Sequence, residues 1–168
     1  GLTGEEIAKR AVKTGDFSTE AVLEVLRKMK IPLSDSRDNV LPVGVEKIRS
    51  MLLGLYCHGP HIGVSTASKE FPWTVRLMIG TFRRAFPWFP FTSIQVNSGF
   101  AARPHVDRRN RGPSALIALG EHSGGHLWVH EPESGTVPKV LDSKEGQVSA
   151  QYRVCLLYTS PSPRDGLL

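Results

Sequence analysis

The chain has 168 residues, 40% of them hydrophobic and 22% charged, enough apolar content for one packed domain and too much for wholesale disorder. Two cysteines exclude a disulfide-rich secreted scaffold and a cysteine-based zinc cluster, and no apolar run approaches the roughly 20 residues needed to cross a bilayer. A formal net charge of +5 mildly favours anionic partners, nucleic acid among them, without establishing one. The first residue is Gly1 and no secretory signal follows it. The expectation is therefore an intracellular protein, cytoplasmic or nuclear and not membrane-bound, whose natural N-terminus is missing.

Thr3 with Glu6 three residues on fits a capping box, and Ile7, Ala8, Ala11 and Val12 form an apolar stripe that ends at Gly15. Ser18 or Thr19 suits the cap of a second helix, whose Val22, Val25, Leu26 and Met29 recur at helical spacing until Ile31-Pro32 stops it. A third helix is expected from Val45 through Ile48, Leu52 and Leu55. Residues 56–70, YCHGPHIGVSTASKE, read as a connection in which His58 and His61 have no specific task. Pro72 fits the first turn of the next helix, with Val75, Met78, Ile79, Phe82 and Phe86 on one face. Eight of the thirteen aromatic residues (seven Phe, three Trp and three Tyr) fall between Phe71 and Phe100, a cluster that reads as core rather than as a ligand platform.

After Pro90 the apolar period changes to that of a strand, with Thr92, Ile94 and Val96 on one side and a turn at Gly99. Short strands are expected at Pro104–Asp107, Ser114–Leu119 and His126–His130, with a hairpin at Gly124-Gly125 between the last two and another strand at Val137–Leu141.

The chemistry concentrates in residues 92–129, at His105-Val106-Asp107. On a strand the two outer side chains share a face, so an imidazole and a carboxylate stand side by side. Such a pair supplies two of the three ligands of a 2-His-1-carboxylate facial triad. Ser114 has no base near it in sequence and Cys57 no activating partner, so nucleophilic catalysis has little support.

The segments FTSIQVNSG, PHVD, RNRGPSALIALG and GGHLWV together resemble the 2-oxoglutarate/Fe(II)-dependent dioxygenase superfamily, over about residues 54–130. The resemblance implies an α+β fold in which N-terminal helices precede a double-stranded β-helix, or jelly roll, with iron between its two sheets. It implies that His105 and Asp107 are metal ligands and that Asn97 contacts 2-oxoglutarate. It also implies an oxygenase that hydroxylates or demethylates an unknown substrate with Fe(II) and 2-oxoglutarate as cofactors. The family's distal His and its following Arg or Lys have no counterpart here. His122, His126 and His130 surround the hairpin and read as exposed residues rather than ligands. Arg103, Arg108, Arg109 and Arg111 either steer an anionic cosubstrate or form a solvated loop.

Two further resemblances complete the expected organisation. Within the expected helical module over 1–53, the segment from VLEVLRKMKIPLS to GVEKIRSML (residues 22–52) loosely resembles the N-terminal helical module of transcription elongation factors, which implies a protein partner for that module. Cys155–Asp165 resembles a translated sequencing adapter, so residues 155–168 are expected to be artefactual and the natural sequence to stop near Val154. The expected domains are thus a helical module over 1–53, an incomplete jelly roll over 54–154 and the tail. As it stands, the chain is expected to be inactive and poorly soluble. The competing reading is a non-catalytic, oxygenase-like binding scaffold with a helical recruiting module.

Overall fold

The computed structural model describes residues 1–34, 40–99, 102, 105, 114–123, 127–130, 133–143 and 146–155, with backbone alone for 128, 130 and everything from 139 onward. Helix α1 spans Gly4–Thr14 and begins with the predicted capping box. The Glu6 N–H donates to Thr3 Oγ1 at 3.2 Å and the Thr3 N–H donates to Glu6 Oε2 at 2.7 Å. The bond from the Thr3 N–H, joined by one from the Thr3 hydroxyl to the same oxygen at 3.0 Å, holds the Glu6 carboxyl below its ordinary pKa. Helix α2 spans Thr19–Lys28, capped by Ser18 Oγ, which accepts the Ala21 N–H at 3.2 Å. Ser18 in turn donates from its hydroxyl and its N–H to Asp16 Oδ1, at 2.6 and 3.1 Å, and so lowers the Asp16 pKa.

Strand β1 (Leu33–Ser34) is brief and pairs antiparallel with β2 (Ile48–His58). The third predicted helix is therefore a strand. Ile48, Leu52 and Leu55 match a helical stripe, but Met51, Leu53 and Leu55 also match period 2. A short apolar run of this kind does not distinguish the two. Pairing settles it: β4 (Ser93–Ser98) lies antiparallel beside β2 from Arg49↔Ser98 to Gly54↔Ser93, and Met51 and Leu53 share the buried face with Val96 and Ile94. The expected boundary at residue 53 falls inside this strand.

The predicted connection over 56–70 also carries regular structure. The end of β2 folds back through Gly59-Pro60 into β3 (His61–Val64), and α3 follows over Thr66–Glu70. Gly54 marks where β2 leaves β4 for β3. Its φ is +91°, and a Cβ there would run into the Thr92 carbonyl oxygen. Glycine alone fits both the backbone conformation and the close approach.

Helix α4 covers Pro72–Ala85, with Pro72 in its first turn as predicted. Its free N–H groups are capped from a distance by Glu5 of α1. The Glu5 carboxylate accepts the Trp73 N–H at 3.0 Å, the Thr74 N–H at 2.8 Å and the Thr74 hydroxyl at 2.6 Å. The most buried stripe of α4 is Thr74, Leu77, Met78 and Thr81; Val75, Ile79 and Phe82 flank it, half-buried. At Gly80 the Phe17 ring lies where a Cβ would stand. The three long helices and one face of the β2–β4 sheet thus share a single core, including Ile7, Ala8, Val25, Leu53, Leu77 and Ile94.

A second antiparallel sheet has the order β5-β7-β6, from β5 (Leu127–His130), β6 (Val137–Ser143) and β7 (Gly146–Cys155). β5 and β6 match expected strands. β7 is a strand the sequence reading passed over, and its last residue, Cys155, pairs with Leu127. Residues 156–168 lie outside the described residues. The expected strand at Ser114–Leu119 is not formed: 114–118 have no regular structure and Leu119 makes a single bridge. A strand persists only where a neighbour completes its ladder, and among the described residues none lies along 114–118. The class is mixed α+β with antiparallel sheets. Among the described residues no helix is long and apolar enough to cross a membrane.

Candidate functional site

β4 has two chemically distinct faces. Ile94 and Val96 are buried against the helices, whereas Gln95 and Asn97 alternate onto the other side. Asn97 is exposed there and stands opposite Ser50 of β2. Gln95 Nε2 donates to Ser50 Oγ at 2.7 Å and to the Met51 carbonyl at 3.0 Å, so one amide fixes the polar face across both strands. The residue expected to meet 2-oxoglutarate therefore lies on the helix-averted side of β4, where Leu52 and Ser50 of β2 stand opposite Gln95 and Asn97, two residues before the turn at Gly99.

His105 is exposed beyond that turn. Asp107 lies outside the described residues, as do Arg103, Arg108, Arg109, Arg111, His126 and the Gly124-Gly125 hairpin. An imidazole and a carboxylate two residues apart form the N,O donor set that suits iron and its first-row neighbours. Among the described residues no group of three His, Cys, Asp or Glu gathers as a metal site; of the two expected ligands, His105 is the one that lies among them. His122 is exposed, with Nδ1 3.5 Å from the Gly120 carbonyl, and His130 ends β5.

Two features escaped the sequence reading. His58 and His61 are not loop residues but direct cross-strand partners on the β2–β3 hairpin, both exposed. Their backbone register puts them on one face. The second feature is a cavity of about 240 Å³ between α4 and the start of β4, on the helix-covered side of the sheet. The aromatic cluster was the available signal for it. Part of that cluster is core, because Phe82 and Phe91 pack on the buried cluster with their centroids 5.8 Å apart. Another part is not: Trp88 is 76% exposed. Comparison with protein-family profiles, with curated proteins and with solved structures returns no match.

Proposed function

We propose that the chain is part of an iron- and 2-oxoglutarate-dependent oxygenase of jelly-roll architecture, with His105 and Asp107 as metal ligands. The observation that supports this reading is the chemistry of β4 and of the segment after it. A strand with a polar face averted from the helices turns at Gly99 and leads into a His-x-Asp pair. In a jelly roll that face lines the interior, where a cofactor sits between sheets.

In this reading His105 donates an imidazole lone pair and Asp107 a charged carboxylate oxygen to Fe(II). When bound, Fe(II) and 2-oxoglutarate would together activate dioxygen, the oxidant for hydroxylation or demethylation, with 2-oxoglutarate oxidised to succinate and carbon dioxide. The protein's own task is to position and to exclude. The Asn97 amide NH2 offers donors to a carboxylate or keto oxygen, and the Gln95–Ser50 bond stiffens the strand pair beneath it. The arginines flanking the pair in sequence raise the local concentration of anionic cosubstrate.

Manganese(II) is the appropriate probe, as a stable paramagnetic stand-in for Fe(II). Added to ¹⁵N-labelled chain, it should broaden the amides of Asn97, Ser98 and His105 before those of α1 and α2. 2-Oxoglutarate should then shift Asn97 only when metal is present. Broadening confined to the His58–His61 hairpin, or none at all, would refute the assignment.

A further inference from the structure

The cavity between α4 and β4 is lined by apolar side chains and one charge. Leu53 of β2, Val75 and Ile79 of α4, and Phe89 and Phe91 before β4 form the walls, and Arg83 lies at the edge. Its other polar lining is already engaged. Ser93 Oγ donates to the Leu55 carbonyl at 2.6 Å, and the Thr92 carbonyl accepts the Leu55 N–H at 3.0 Å. Arg83 differs, since it makes no hydrogen bond or ion pair with any described residue, although the neighbouring Arg84 donates to the Gly15 carbonyl and covers the Phe17 ring. An apolar hollow with one uncompensated guanidinium at its edge is complementary to a molecule with an apolar body and a single anionic end.

From this geometry we infer a binding site for a small apolar monocarboxylate, such as a medium-chain fatty acid or an aryl-alkanoate. The volume sets the size. At close to 30 Å³ for each small group, 240 Å³ admits about eight non-hydrogen atoms, enough for a medium-length apolar chain whose carboxylate lies at the edge beside Arg83. Carboxylate is favoured over phosphate because one guanidinium forks onto two coplanar oxygens, whereas a dianion would leave a charge unpaired. The site lies on the side of the sheet opposite Asn97, and it stands or falls independently of the iron proposal.

Octanoate is the probe, titrated into the full chain with the Leu53, Val75 and Ile79 methyl groups followed by NMR. Saturable shifts at these methyls are expected at roughly 0.1–1 mM, an affinity in keeping with so few ligand atoms. 1-Octanol should bind about three- to fivefold more weakly, because an exposed ion pair provides no more than that. Arg83→Gln should reduce octanoate to the level of octanol and leave octanol unchanged. Ile79→Trp should block both ligands by filling the cavity; unchanged dispersion of the α1 and α2 amides would show that this variant still folds. The proposal is overturned if the three methyls do not shift, if octanoate and octanol bind the wild-type chain alike, or if Arg83→Gln leaves octanoate binding intact.

Discussion

Replacing Gly54 with alanine probes the point on which the sheet arrangement turns. The backbone there has φ +91°, a conformation that costs an L-residue about 1–2 kcal/mol. The added methyl would also meet the Thr92 carbonyl oxygen, which accepts the Leu55 N–H at 3.0 Å. Moving Thr92 away loosens that bond, and overpacking adds about 1–3 kcal/mol. The expected loss is about 3–5 kcal/mol, a large part of the stability of a domain this size. Gly44 supplies the control. Its φ is +78°, and nothing lies within 4 Å of the place a methyl would take, so Gly44→Ala carries the conformational cost alone, about 1–2 kcal/mol. The smaller backbone entropy of alanine in the unfolded chain applies to both variants and cancels in their difference. Urea unfolding followed by far-ultraviolet circular dichroism at micromolar protein gives both values. A difference between the variants below about 0.5 kcal/mol would refute the steric argument and, with it, the placement of Thr92 over β2.

Glu5→Ala should destabilise the chain by about 2 kcal/mol in the same assay, because it uncaps α4 and leaves the buried Thr74 hydroxyl with only Met29 Sδ at 3.7 Å. Gly80→Ala should also destabilise, by about 1–2 kcal/mol net. Overpacking against the Phe17 ring outweighs the gain of up to about 1 kcal/mol in helix propensity, and a stabilised variant would contradict the packing. Glu6 and Asp16 have lowered pKa values in the folded chain, so their contribution is present above their ordinary values of 4.5 and 3.8 and is lost as pH falls through the lowered ones. The acid-side decline in melting temperature should therefore be shallower in Glu6→Gln/Asp16→Asn than in wild type; parallel profiles would contradict it.

The helical half was legible wherever local chemistry decides the structure. Thr3, Glu6 and Ser18 announce their caps through hydrogen bonds made within three residues. What failed depends on distant partners. Ile48–His58 satisfies either period, and only its neighbour β4 makes it a strand. Glu5 looks like an ordinary first-turn acid, yet its partners are 68 and 69 residues away. β7 carried a usable signal, since Val148, Ala150, Tyr152 and Val154 alternate in the sequence. Asn97 was legible as a strand residue on the polar face because Ile94 and Val96 fix the phase of β4. The cavity was not, because no local pattern tells which aromatics of a cluster line a hollow and which fill it.

The central claim, that His105 and Asp107 together hold a metal ion, is tested most directly by cobalt(II) titration. It is read from d–d absorption, in a His58→Ala/His61→Ala background that removes the exposed imidazole pair of the β2–β3 hairpin. The account predicts weak, saturable binding, reduced by about tenfold or more in His105→Ala and in Asp107→Ala alike, since each removes a ligand. Titration curves of either variant that overlay those of the parent would contradict it.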